Sequence, residues 1–280
     1  MLVSLKSLMH DARERHYAVG AFNLLSVEHV RGAIRAAEEL RSPLIIQLAE
    51  VQFPCAPMEL LAPVYLEAAR EASVPVCVHL DHGQSFETCA KAIKLGFNSV
   101  MFDGAALPFD ENVALTREVS RLAHAVGVDV EAELGKVGDA GAALPDGADD
   151  VFTDPSEAER FIGLTGVEAL AIAIGNQHGK YVATPHLNIT RLKEISSLTS
   201  LPLVLHGGSG TTLEDFKSCI HNGICKINVA TALQIAVTSA VAEYVGRPDA
   251  GYIGMKSTIE DATCEEVKRH IRIFESDGRA

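Results

Sequence analysis

Residues 75–102 read PVCVHLDHGQSFETCAKAIKLGFNSVMF. The stretch opens on an apolar run, Pro75 to Leu80, and closes on another, Asn98 to Phe102; between them FETCAKAIKLG carries its apolar residues at helical spacing. Ser85 stands where such a helix needs a side-chain acceptor for its first free N–H groups, and Gly96 where it needs a left-handed residue to stop. Strand, helix, strand is one βα repeat, and the pattern extends in both directions. Further runs lie at Ala18 to Phe22, Pro43 to Leu48, Val128 to Glu131, Ala169 to Ile174, Leu201 to Leu205 and Cys225 to Val229, making eight. Their near-continuous apolar character requires burial on both faces, as in a parallel sheet covered by helices. Ser26, Asp154 and Thr212 are placed to cap other helices, and Gly127 and Gly223 to end them. Eight βα units predict an α/β fold of the (β/α)8 TIM barrel type, one domain over residues 1–280, with an additional C-terminal helix from about Ser257 to Phe274. A doubly wound open sheet needs a glycine-rich turn after its first strand, where this chain has AFNLLSVEH.

Twenty-four Lys and Arg against 37 Asp and Glu leave a formal charge of −13, which argues against a phosphate-backbone groove and hence a nucleic-acid partner. With 48% hydrophobic and 22% charged residues the chain is neither disordered nor fibrous. Six Cys, at 55, 77, 89, 219, 225 and 264, form no CxxC pair, so reduced buried thiols and a cytoplasmic location are expected. The opening MLVSLKSLMHDARERHY becomes charged before any apolar run reaches the length of a signal peptide or membrane span, and no membrane association is expected. One irregular stretch, residues 135–154 (GKVGDAGAALPDGADDVFTD), interrupts the repeat and is expected to be a mobile active-site loop.

Barrels build their chemistry at the C-terminal ends of the strands. There the sequence places His79-Leu80-Asp81-His82-Gly83, Asp103-Gly104, Glu131 and Glu133, Gly175-Asn176-Gln177-His178-Gly179, and His206-Gly207-Gly208-Ser209-Gly210. Three histidines from three strands, His82, His178 and His206, suit a catalytic zinc site, which takes three protein ligands and keeps one position open. His79 is left out of that set. Asp103 and Glu133 admit three readings: hydrogen-bond partners that orient the ligands, a second metal site, or capping carboxylates. Asp81, beside a ligand, reads as a general acid or base, or as a carboxylate that only orients an imidazole. Gly179, the run Gly207-Gly208-Ser209-Gly210, and Asn228-Val229-Ala230-Thr231 before an apolar helix bring flexible backbone amides and a helix N-terminus together where barrels commonly hold a phosphate.

The segments AFN (Ala21 to Asn23), HLDHG, NSVMFDGAALPFDENV, VEAELGKVG, AIGNQHGKY, LPLVLHGGSG and GICKINVATALQIA, in that order and over nearly the whole chain, resemble the class II, zinc-dependent fructose/tagatose-bisphosphate aldolases. The resemblance implies Zn2+ on His82, His178 and His206, and proton transfer by Asp81 at the hydroxyl next to the bond that breaks, with Asn228 assisting. It implies a dihydroxyacetone phosphate end held by Asn23, Gly179, Gly207, Gly208, Ser209, Asn228, Ala230 and Thr231. A monovalent cation (Na+ or K+) near that phosphate, and a homodimer or homotetramer, are also implied. The chemistry is consistent: a metal on the ketose carbonyl stabilises the enediolate left by cleavage, without a lysine Schiff base. Two departures bear on the far end of the substrate. Family members acting on bisphosphates usually carry Ser in a segment like ILQxS, where this chain has Ala49, and Arg or Lys early in the helix after NVAT, where it has Gln234. Without those contacts the distal group is expected to be a sulfonate, a carboxylate or a hydroxyl rather than a phosphate. Asp139 stands near the place of an acidic loop residue in relatives. Alternatives are a fructose/tagatose-1,6-bisphosphate aldolase proper, a zinc-dependent barrel hydrolase, and an inactive sugar-phosphate-binding subunit.

Overall fold

The computed structural model describes residues 1–139, 152–179 and 186–280. Eight parallel strands close on themselves: β1 (Val19–Asn23), β2 (Leu44–Ala49), β3 (Val76–Gly83), β4 (Ser99–Phe102), β5 (Asp129–Leu134), β7 (Ala169–Ile172), β9 (Leu203–Leu205) and β10 (Ile224–Val229). Each lies on one of the eight apolar runs, with shifted ends. The two remaining strands, β6 (Gly138–Asp139) and β8 (Gln177–His178), form a small parallel pair outside the barrel, which periodicity could not reveal because each is two residues long. The sixth run therefore ends at Ile172 rather than Ile174, and residues 173–176 leave the barrel toward β8. Of the stretch 135–154, residues 140–151 lie outside the described residues, as does any account of the Asp139 side chain. The described end of that stretch is bolted down: Thr153 Oγ1 donates to the Leu134 carbonyl and accepts from the Ala173 N–H at 2.9 Å.

The capping residues act as their chemistry requires. Ser26, Ser85, Asp154 and Thr212 each accept a hydrogen bond from a first-turn N–H of α2 (Val27–Leu40), α4 (Phe86–Leu95), α6 (Pro155–Thr165) and α8 (Leu213–His221). The helix α1 (Leu5–Arg15) stands under the barrel, where Leu5, Leu8, Met9 and Ala12 pack with Val19, Ile45, Cys77, Ala169 and Val204 into an apolar floor. Above that floor the barrel interior turns polar: Gln47, His79, Ser99, Glu131 and Lys226 are all 0% exposed. Glu131 binds Lys226 Nζ through both oxygens, at 3.0 and 2.8 Å, so the buried lysine has its counter-ion in contact.

The last helix, α10 (Tyr252–Ile273), starts five residues earlier than the sequence suggested and packs along α2 and along α9 (Thr231–Val245). Gly32 of α2 makes the close approach: a Cβ there would run into the Glu260 carbonyl oxygen and crowd Thr263 Cβ at 2.8 Å. Gly32→Ala is expected to lower stability by about 1–3 kcal/mol through overpacking, against the small gain alanine normally brings to a helix; thermal or urea unfolding measures it. Five of the six cysteines are buried and all six are free, Cys55 being the exposed one. Among the described residues no helix is long and apolar enough to cross a membrane.

Candidate active site

A defect in β3 opens the site. Leu80 pairs with Val100 of β4, but the next pair is Gly83 with Phe102, so three residues of β3 span two of β4. The surplus residue is taken up at Asp81-His82, and His82 sits in the left-handed region at φ 46°. Neighbours on a regular strand face opposite ways; here the bulge turns Asp81 and His82 into the same cavity of about 580 Å3 at the barrel mouth. His79 shares the parity of Asp81 and lies one layer deeper. Its Nδ1 is 2.8 Å from Ser99 Oγ and its Nε2 3.6 Å from Glu131, so depth keeps it from the other histidines.

His82, His178 and His206 meet above it. Their ring centroids are 4.9 Å (82 to 178), 4.6 Å (82 to 206) and 5.9 Å (178 to 206) apart, and one nitrogen of each lies within 4.8 Å of the others. His82 Nδ1 is 2.8 Å from Asp103 Oδ2 and 4.0 Å from Glu133 Oε2, so His82, Asp103 and Glu133 form a second group able to hold a cation. His206, fully buried, points Nε2 at Glu131 Oε1, 3.0 Å away, which leaves Nδ1 facing the other two rings. That Nδ1 is buried without a hydrogen bond, and so is Glu133 Oε2, which stands 3.2 Å from it out of alignment. Two orphaned buried atoms on converging donors fit a bound cation. The electrostatics agree. Burial works against a charged His82, yet Asp81, Asp103 and Glu133 outweigh it and raise its pKa to about 10, so the cavity attracts positive charge. Burial and the neighbouring His206 and His82 lower His178 to about 4, which keeps a lone pair free.

Asp81 is held on both oxygens. Asn23 Nδ2 donates to Oδ2 and Asn228 Nδ2 to Oδ1, each at 2.9 Å, while Gln47 Nε2 anchors Asn23 Oδ1 at 2.9 Å. Burial resists its ionisation, but His82, His206 and Lys226 prevail and hold its pKa down at about 2. Asn228 Oδ1 remains a buried acceptor without a partner.

On the opposite wall Gly179, Gly207, Ser209, Ala230 and Thr231 line the cavity where α9 begins. Ala230 has no side-chain cap, although Ser209 Oγ accepts from the Ala232 N–H at 3.0 Å, so first-turn amides of α9 remain open to an anion. Gly207 has φ 70°, and a Cβ on it would overlap the Gln177 carbonyl oxygen; only glycine lets the strand end carrying His206 touch the segment carrying His178. Gly208 and Gln234 are not on the cavity wall. The Gly208 N–H is spent on the Asn228 carbonyl at 3.3 Å, and Gln234 is exposed on the outer side of α9. Ala49 does line the cavity.

Sequence reasoning did not single out Gln47, Gln52, Lys136 or the Glu131–Lys226 pair. Period-two parity could have found Gln47, which stands two positions before Ala49 on one side of β2. Lys136 is the one lysine or arginine among the described lining residues.

A closed parallel barrel that gathers three histidines and a carboxylate at its C-terminal mouth has the architecture of a barrel enzyme, with side chains able to hold a metal. The comparisons narrow the class. The fructose-bisphosphate aldolase class-II family profile matches residues 3–279, and the chain belongs to that family of carbon–carbon lyases. It is 41% identical to the probable fructose-bisphosphate aldolase of Bacillus subtilis (strain 168), covering 100% of this chain and 99% of that one. A fructose-bisphosphate aldolase of Staphylococcus aureus (strain Mu50) is 39% identical, with coverage of 100% and 99%. The crystal structure of the YdjI aldolase from Escherichia coli K12 superposes with a TM-score of 0.91 at 38% identity, covering 100% of both chains.

Proposed function

We propose that the protein reversibly cleaves a ketose 1-phosphate to dihydroxyacetone phosphate and an aldehyde whose far end carries no phosphate. The observation that carries this reading is the convergence of His82, His178 and His206 beside Asp81, a carboxylate kept ionised and pinned on both oxygens. Bound among the three histidines, a divalent metal, zinc by the donor set, supplies Lewis-acid stabilisation for the negative charge that develops on the ketose carbonyl oxygen. Asp81 takes the proton of the hydroxyl beside the bond that breaks. The O–H electrons become the carbonyl of the departing aldehyde, and the electrons of the broken C–C bond stay with the dihydroxyacetone phosphate half. Asn23 and Asn228 aim the carboxylate, and the free Asn228 Oδ1 accepts from a substrate hydroxyl. Gly179, Gly207, Ser209 and the first-turn amides of α9 would hold the phosphate, and a monovalent cation, if bound there, would offset its charge. A homodimer or homotetramer belongs to the same reading.

The far end is read from Ala49, which offers a methyl group on the cavity wall. Ketose 1-phosphates ending in a hydroxyl, carboxylate or sulfonate are expected to exceed fructose and tagatose 1,6-bisphosphates in kcat/KM by about tenfold or more, the order of one lost charge-assisted contact. Ala49→Ser is expected to narrow the gap. A strong preference for the bisphosphates, unchanged in Ala49→Ser, assigns the second reading, bisphosphate aldolase proper. That reading is favoured by the names of the relatives and by Lys136 on the cavity wall.

A further inference from the structure

Gln52 closes a short 3-10 turn, Glu50–Gln52, directly after β2, and lines the cavity next to Ala49 and Val51. Its Oε1 accepts from the Ala49 N–H at 3.1 Å and from Asn23 Nδ2 at 3.3 Å. A backbone N–H can only donate, so the amide orientation follows from the Ala49 contact: Oε1 faces the protein and Nε2 faces away from it. Among the described residues Nε2 has no hydrogen bond, and it is not one of the buried atoms lacking a partner. It is therefore a donor open to the cavity. The turn that carries it is rigid. Glu50 accepts from the Gln84 N–H at 2.7 Å and from Thr88 Oγ1 at 3.0 Å, and the Gln52 carbonyl accepts from the Ala56 N–H at 2.9 Å. One side chain, Asn23, separates this donor from the carboxylate at the bond that breaks, since Asn23 Nδ2 touches both Gln52 Oε1 and Asp81 Oδ2. The cavity lining also includes the apolar side chains of Ala49, Val51, Ala105, Ala106 and Val137, together with Gln84 and Lys136.

We propose that Gln52 is a specificity-determining residue whose fixed amide N–H donates to a hydroxyl oxygen on the aldehyde-derived half of the substrate, close to the carbon that forms the new bond. The assignment rests on the aldolase reading. It follows from a preorganised neutral donor on the cavity wall: an aldehyde with a hydroxyl there satisfies it, and one without leaves it unpaired.

The test uses the zinc-loaded full chain and Gln52→Met, a change in a half-buried side chain of a turn that Glu50 continues to hold. Condensation of dihydroxyacetone phosphate is measured with glycolaldehyde and with acetaldehyde, which differ by one hydroxyl. Hydrogen–deuterium exchange of dihydroxyacetone phosphate alone is followed in parallel. Gln52→Met is expected to reduce the glycolaldehyde-to-acetaldehyde ratio of kcat/KM by about ten- to a hundredfold, while exchange stays within about twofold of wild type. An unchanged ratio overturns the proposal. A matching fall in both condensations and in exchange also overturns it, since Gln52 then only buttresses Asn23 and Asp81. Absence of exchange in the wild type removes the aldolase reading itself, a distinct result.

Discussion

Chelation of divalent metal is expected to abolish cleavage, and Zn2+ to restore it, because three imidazoles and an orphaned Glu133 oxygen converge where a bound metal would act as the Lewis acid. The variant that isolates this effect is His178→Ala. His206 is fully buried, and its loss would strip Glu131 of a hydrogen bond inside the barrel, whereas His178 is half-buried on the short β8 at the edge of the cavity. His178→Ala is therefore expected to fold and to bind zinc about a hundredfold or more weakly, in competition with a chromophoric chelator, with cleavage lost at limiting metal. Borohydride with substrate is a second check. Lys226 is committed to Glu131, but Lys136 lies on the cavity wall. No adduct is expected on either, and a trapped adduct on Lys136 would transfer the mechanism to Schiff-base chemistry.

Asp81→Ala is expected to keep zinc and lose cleavage by about 10²- to 10⁴-fold, the range for removal of a general acid or base. Metal retention follows because the converging ligand atoms are imidazole nitrogens, and β3 is paired by its backbone on both sides. With its pKa held at about 2, Asp81 is ionised across the neutral range and is ready to accept a proton without a prior titration. Cleavage in the variant is measured by coupled reduction of the released dihydroxyacetone phosphate, alongside a metal assay of the same sample. Near-normal turnover would reassign the proton transfer to another carboxylate beside the histidines, Asp103 or Glu133.

The barrel was legible in the chain because its evidence is local and repeated. Eight apolar runs, four capping side chains and the glycine at position 96 each follow from hydrophobic burial or backbone sterics within a few residues, and all recur in the structure. The histidines were legible for a similar reason: in a barrel, position at a strand end is already position at the mouth. What lay beyond the sequence was anything set by a break in that regularity or by contact between distant segments. The bulge that turns Asp81 and His82 to one side depends on a mismatch between β3 and β4, and neither strand alone records it. Gly208 reads as a site residue from its place in the glycine run and Gln234 from the Arg or Lys that relatives carry there; only the structure shows the Gly208 N–H bonded to the Asn228 carbonyl and Gln234 exposed on α9. Gln52 and Lys226 read as ordinary polar residues and Glu131 only as a strand-end carboxylate; only closure of the barrel brings Lys226 against Glu131, Glu131 against His206, and Gln52 against Asn23. Hydrophobic periodicity is written along the chain, whereas the pairing of buried polar groups is decided across it, where a charge or a free N–H must find its partner from another strand.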